Sequence, residues 1–295
     1  IQLNQITNLS YQYKYDSRNR LVEKKIPGKG WEYIIYDNLD RPVLTQDSNQ
    51  RDNNKKEWLF TKYDKLGRVV YTGIYTHSSA LDQGGMQNYF NTAPTQTGAK
   101  LNYETRSTSE FGSSYVQHYY TNYQFPYQNI EILTVNYYDN YAFNRAGSSA
   151  VVSTKYNINS TTYTRNSTTN LKGLATGSKV KVLGESPQKW ITTVSYYDEK
   201  ARPVYIFSKN DFLGITDIIK SELDDFTGRV VKSESIHQKA GKATIVTEDK
   251  FTYDHADRLL KQQQKQIVNN TLVNDELIVK NTYDELGQLE NKKVG

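Results

Sequence analysis

Seven aspartates and the arginines that follow them are the residues whose type and spacing could do chemistry in this chain of 295 residues. They recur in a hexapeptide, Tyr-Asp-x-x-(Gly/Asn/Asp)-Arg. Its clear copies are Tyr15-Asp16 with Asn19-Arg20, Tyr36-Asp37 with Asp40-Arg41, Tyr63-Asp64 with Gly67-Arg68, and Tyr253-Asp254 with Asp257-Arg258. Tyr283-Asp284 with Gly287 carries Gln288 where the others have Arg. Two copies each bend one position: Tyr197-Asp198 with Ala201-Arg202, and Asp224-Asp225 with Gly228-Arg229. Paired carboxylates could serve glycoside hydrolysis, which sets two of them about 5–10 Å apart. The arginines could hold an anion. Seven equivalent acids nevertheless argue for one shared backbone role. Pairing with Asp across a hairpin, or stacking on Tyr, accounts for the arginines.

No other constellation competes. His77, His118, His237 and His255 are scattered without metal-ligand spacing, and His255 sits inside a hexapeptide. There is no nucleophile elbow, phosphate loop or zinc-protease motif. The absence of cysteine removes disulfide frameworks and thiolate metal sites. The net charge of +5 is dispersed, which argues against nucleic acid as a partner. No apolar run is long enough to span a membrane as a helix. The expectation is a non-enzyme with no catalytic residue, metal or cofactor. The sequons at Asn8, Asn159, Asn166 and Asn269 are chance matches in an Asn- and Thr-rich chain.

The hexapeptide reads as a hairpin turn. Asp at the first position of a type I turn accepts backbone N–H bonds two residues on. A left-handed residue then closes a three-residue loop with a bulge, and Gly, Asn and Asp reach positive φ at least cost. Asn19, Asp40, Gly67, Gly228, Asp257 and Gly287 comply, so Ala201 predicts a strained or different turn. Asp and Arg face each other across the neck, and Tyr begins the pairing behind them.

Strand material flanks the turns. Trp31–Ile35, Trp58–Thr61 and Leu277–Lys280 precede theirs; Val69–Thr72, Val230–Ser233 and Leu259-Leu260 follow. Within 1–80 and within 191–295 neighbouring motif aspartates lie 21 to 30 residues apart, room for two strands and a second, unmarked turn. No apolar pattern of period 3.6 is evident. The fold class is therefore all-β, an array of antiparallel hairpins forming a long curved sheet. Only 36% of residues are apolar, yet there are 25 Tyr, 9 Phe and 3 Trp. Disorder is aromatic-poor, whereas a thin sheet held by repeat-to-repeat pairing can be ordered with little core. We divide the chain into repeats over 1–80, divergent repeats with long Tyr/Asn/Thr-rich loops over 81–190, and repeats over 191–295. Both ends look cut from a larger polypeptide. Lys179–Val182 alternates as a strand should, and Tyr137–Arg145 reads as a degenerate copy with its Arg two places late.

The hexapeptide array resembles the YD repeats of the Rhs family, which includes bacterial polymorphic toxins, insecticidal toxin-complex subunits and the teneurins. Runs such as Trp31–Asp37, Trp58–Asp64 and Trp190–Asp198 are similar to large secreted Rhs proteins of Bacteroidota. The resemblance covers 11–75 and 190–290 well and the middle loosely. It implies a β-strand spiralling into a hollow cage, which in bacterial members encloses a C-terminal toxin. The Asp-Pro core motif of self-cleavage is missing, since no Asp-Pro pair occurs, and no toxin domain is visible.

Two functions follow as expectations. The first is a secreted or cell-surface shell segment whose partner is the remainder of its own polypeptide, with secretion or surface machinery as a further partner. The second is an adhesion module binding glycan or protein through Tyr119, Tyr120, Tyr123, Tyr127 and neighbouring loops, although packing within the sheet explains these tyrosines at least as well.

Overall fold

The computed structural model describes residues 8–52, 55–93, 102–111, 116–148, 153–158, 161–166 and 170–295. The Asn159 sequon therefore lies outside the described residues. The chain forms two compact units, Ile1–Asn136 and Tyr137–Gly295.

In the first unit, β1 (Gln12–Tyr15), β2 (Leu21–Lys25), β3 (Glu32–Tyr36), β4 (Pro42–Gln46), β5 (Glu57–Tyr63) and β6 (Val69–Thr76) pair in chain order. A small hairpin of β7 (Val116–Gln117) and β8 (Tyr120–Thr121) precedes β9 (Ile130–Tyr138), which pairs with β6. The ladders between these strands are antiparallel. Helices α1 (Ser48–Arg51) and α2 (Gln83–Thr92) interrupt the pattern. The helix α2 was not legible from a 3.6-residue period, because its sequence is mostly polar and Gly-containing. Its one sequence signal is Asp82, which caps it by accepting from the Gly85 N–H at 2.8 Å.

The second unit holds the hairpin of β10 (Ser153–Ile158) and β11 (Thr161–Asn166). It also holds β12 (Ala175–Val182), β13 (Lys189–Tyr197), β14 (Pro203–Asn210), β15 (Ile215–Leu223), β16 (Val230–Lys239), β17 (Ile245–Tyr253), β18 (Leu259–Val268), β19 (Thr271–Tyr283) and β20 (Leu289–Val294). These nine also pair antiparallel in chain order, so Lys179–Val182 is strand as expected. The unmarked turns between repeats use their own left-handed residues; Asn269 and Asn270, with φ of 47° and 64°, make the two-residue turn between β18 and β19.

Burial is uneven. Trp58, Phe60 and Lys62 alternate with outward residues along β5 and are almost fully buried with Ile35, Leu44, Val70 and Tyr71. The second unit buries Tyr137, Val194, Tyr196, Val204, Phe207 and Leu223. The sheet side chain of Tyr137 is stacked on Phe143, ring centroids 4.0 Å apart. Beyond Val230 the sole buried residue is Glu234.

Candidate functional site

The turn at Asp16 shows what the hexapeptide builds. The Asn19 N–H donates to the Asp16 carbonyl at 3.0 Å, and the Asp16 N–H donates to the Arg20 carbonyl at 3.0 Å. One carboxylate oxygen of Asp16 accepts from the N–H groups of Arg18 and Arg20, both at 2.9 Å. The other accepts from Arg20 Nε at 2.7 Å. Asp37, Asp64, Asp198 and Asp254 repeat this set with the N–H two residues on and with the N–H and Nε of Arg41, Arg68, Arg202 and Arg258. Positive φ falls on Asn19, Asp40, Gly67, Asp257 and Gly287 at 59° to 82°. The ladder register slips by one residue at each motif Tyr, as at Tyr15, Tyr36, Tyr63, Tyr253 and Tyr283.

Arg and Tyr then reach beyond their own turn. The guanidinium of Arg20 lies over the ring of Tyr36 at 4.7 Å, Arg41 over Tyr63 at 4.4 Å, Arg229 over Tyr253 at 4.3 Å and Arg258 over Tyr283 at 4.6 Å. In each case the Tyr hydroxyl donates to the carbonyl of the residue following that Arg: Leu21 at 2.9 Å, Pro42 at 2.7 Å, Val230 at 3.0 Å and Leu259 at 3.1 Å. The pair forms a clasp between consecutive hairpins, worth on the order of 1–2 kcal/mol for stacking plus a hydrogen bond. The same Arg reads the left-handed residue of the next turn. Arg20 pairs with Asp40 at 2.7 Å, and Arg229 pairs with Asp257. Where that residue is Gly the guanidinium takes the space, and a Cβ at Gly287 would come within 2.6 Å of Arg258 Nη1.

Three copies depart from expectation in instructive ways. Ala201 does not change its turn: φ is 59°, and its N–H donates to the Asp198 carbonyl at 3.0 Å like the others. The surrounding hydrogen bonds hold an alanine in the left-handed region, so strain replaces substitution. In the copy at 224–229 the capping carboxylate is that of Asp224, not Asp225. Asp224 accepts from Phe226 and Thr227 N–H, and Gly228 N–H closes on its carbonyl. The loop is one residue longer, Asp225 stands exposed, and Leu223 occupies the tyrosine's place, so Arg202 has no ring to cover and donates to the Asp224 carbonyl at 3.0 Å. The late Arg145 donates instead to the Tyr196 hydroxyl at 3.0 Å, while Asp139 accepts from the Gly173 N–H.

These geometries tie up the turn acids. Hydrogen bonds, first from the backbone N–H of Arg258 and of Thr227, hold the carboxyls of Asp254 and Asp224 below the usual range. A general acid needs the opposite shift. Among the described residues, no three His, Asp or Glu side chains converge as metal ligands would. His77 and His118 are buried, His237 pairs with Asp217 at 2.6 Å, and His255 is exposed at a turn tip. Of the tyrosines expected in exposed loops, Tyr120 is buried with its ring against Tyr71, and Tyr119, Tyr123 and Tyr127 are half-buried.

One buried polar centre escaped sequence reasoning. Lys62 Nζ donates to Glu104 Oε1 at 3.1 Å, to Asn122 Oδ1 at 2.5 Å and to the Gln124 carbonyl at 2.8 Å. Glu104 also accepts from the Thr121 hydroxyl and from the N–H groups of Tyr123 and Gln124. Burial pushes the Lys62 ammonium below its ordinary pKa, and Glu104 opposes that shift. Its signal was the inward alternation Trp58, Phe60, Lys62. This centre staples Glu104, Asn122 and Gln124 onto β5 and leaves Nζ no room for a substrate.

No family model matches this sequence. No curated protein matches it either. Among solved structures it is similar to crystal structures of TcdB2-TccC3-Cdc42 and of TcdB2-TccC3, each at 10% identity, with TM-scores of 0.32 and 0.31. Both cover 99% of this chain and 13% of theirs. TcdB2-TccC3 without the hypervariable C-terminal region gives 11% identity and a TM-score of 0.30, over 96% of this chain and 12% of that one. The chain thus spans about an eighth of the length of the chains it resembles. With TM-scores this low, the reading of function rests on the residues themselves.

Proposed function

We propose that this chain is a non-catalytic wall segment of a large secreted Rhs-type protein, part of a β-shell around the C-terminal portion of its own polypeptide. The observation that carries this reading is the clasp from hairpin to hairpin. It uses the repeated Tyr, Asp and Arg mainly on one another and on neighbouring backbone, and it extends a sheet without a thick core, which suits a wall. The enclosed portion is a toxin or effector in this reading, and the site of action is outside the bacterial cell or at its surface.

The test uses the full-length protein with its native downstream region under graded protease. The C-terminal portion should resist cleavage while the repeats stay folded, and should become as labile as the isolated portion once they are unfolded. Cleavage at the isolated portion's rate with the repeats intact would overturn the shell reading. Retention of the full-length protein on glycan or cell-surface columns, lost when Tyr119, Tyr123 and Tyr127 are replaced, would favour adhesion instead.

A further inference from the structure

We infer that the outer edge of β1 is a docking edge for one more hairpin of the same type, recognised by an arginine-bearing turn that stacks on Tyr15. Among the described residues, the strand β1 pairs with β2 alone. Every later motif tyrosine finds an acceptor on the hairpin before it. Tyr36, Tyr63, Tyr253 and Tyr283 hydroxyls donate to carbonyls one residue past a motif Arg, and Tyr197 donates to the Ala175 carbonyl at 2.6 Å. Tyr15 has the same place in its turn, the same register slip behind it and none of these partners among the described residues; it is 60% exposed, with Tyr11 and Tyr13 exposed beside it. A large aromatic row on an open strand edge is a surface the fold itself leaves unexplained.

The occupant follows from the interface that already repeats inside the chain. A strand lying against β1, as β2 lies against β3, brings the carbonyl after its turn to the Tyr15 hydroxyl and the sixth side chain of its hexapeptide over the Tyr15 ring. That side chain must be cationic to stack as Arg20 does on Tyr36 at 4.7 Å. The chain's own last strand does not meet the requirement. The strand β20 follows a turn ending in Gln288, a neutral amide in the position of the guanidinium. A second copy joining head to tail would therefore bring a carbonyl but no cation. The turn of the incoming hairpin also meets Asn19, whose neutral amide sets no ion pair such as Arg20 makes with Asp40 at 2.7 Å. The arginine is free to serve its own turn's aspartate and the ring.

The probe is a disulfide-closed peptide of Ile245–Val268, which carries the turn Tyr253–Arg258, added to the intact chain. Hydrogen exchange of the β1 amides reads the docking. Saturating peptide should slow exchange of alternate β1 amides by about tenfold or more. Peptide R258A and chain Tyr15→Phe should each cut that protection several-fold, with circular dichroism unchanged because Tyr15 is exposed. Equal protection by peptide R258A, or no protection at millimolar peptide, would overturn the proposal. So would β1 protection in the chain alone with a concentration-dependent dimer by sedimentation, since the occupant would then be a second copy.

Discussion

Between Glu57 and Asn136 the sheet is covered by chain folded back onto it, whereas from Val230 to Gly295 it stands nearly bare. The first stretch buries Trp58, Phe60, Tyr71, Tyr120 and Val135 around the Lys62–Glu104 pair. Large side chains of that kind contribute about 1.5–3 kcal/mol each when fully buried. The second stretch instead aligns half-buried aliphatics across strands: Ile236 opposes Val246, and Val246 opposes Ile267. A parallel row sets Lys220, Glu234, Glu248 and Lys265 opposite one another, where burial and Glu234 push the Glu248 carboxyl up. Yet the turns at Asp64 and Asp254 have the same hydrogen bonds and, through Tyr63 and Tyr253, the same clasp to the hairpin before. The turn therefore builds itself from local bonds, and the core is an addition rather than a condition.

The sharpest way to separate the two stretches is Glu104→Ala. It leaves Lys62 buried and cationic without its counter-ion, a change that costs about 3–5 kcal/mol. Urea unfolding should show that loss, and hydrogen exchange should place it in β5, β6 and residues 102–111 and 116–128. The double variant Lys62→Met with Glu104→Leu should recover only part of it: the apolar pair needs no solvation, but it leaves Asn122, Thr121 and the backbone at 123–124 without the bonds they make to this pair. A single-variant loss under 1 kcal/mol would mean the staple is wet, and the contrast between covered and bare sheet would weaken.

Arg258→Ala tests the bare stretch. It removes the Nε bond to Asp254 and the stack on Tyr283. The expected cost is on the order of 1–2 kcal/mol, felt as roughly tenfold faster amide exchange in β19 and β20 and little change in the first unit, as nearest-neighbour arrays behave. Arg41→Ala should spread further, since Arg41 also donates to the Asn102 carbonyl in the covered stretch. If Arg258→Ala destabilised every strand alike, the array would be one cooperative block.

Much of this was legible before any coordinates. The Asp-capped turn, its left-handed closing residue, the bulge and the hairpin array followed from Asp, Gly/Asn/Asp and Arg at fixed offsets, because those offsets express local backbone chemistry. What stayed hidden depended on distant chain. Lys62 reads as an ordinary strand lysine until residues 104, 122 and 124 arrive around it. Helix α2 has little apolar periodicity because it holds on through amides: Gln87 accepts from the Tyr36 N–H at 3.0 Å and donates to its carbonyl at 2.9 Å. The shift from Asp225 to Asp224 was missed because a loop longer by one residue moves the cap without changing composition. The clasp was half legible: Arg on Tyr was foreseen, but not that the ring belongs to the following repeat.

Acid should distinguish the stretches more gently. Asp254 and Asp224 titrate below the 3.8 of a free aspartate, chiefly through backbone hydrogen bonds. Their contribution to stability is complete above that unfolded value and is lost as pH falls through the lower folded value. Exchange protection in β15 to β20 should therefore decline below about pH 4, while Asp254→Asn should flatten that decline and lower protection at neutral pH. A pH-independent profile would mean that these carboxylates stabilise nothing.

The smallest effect bears most directly on whether the turn is autonomous. Ala201 holds φ at 59° where its counterparts are Gly, Asn or Asp. A left-handed alanine costs about 1–2 kcal/mol, part of which Gly returns through the greater freedom of its unfolded chain. Ala201→Gly should thus gain about 0.5–1 kcal/mol net, raising Tm by about 2 °C for a protein of this size. Gly67→Ala, at φ 77° with Arg41 Nη1 3.9 Å from the new Cβ, should lose a similar amount. Because Asp64 is buried in the covered stretch and Asp198 is buried beside Tyr197, equal and opposite changes would show the cost set by φ alone. A larger loss at Gly67 would mean that the covering chain had tightened the turn beneath it, and that local bonds do not suffice there.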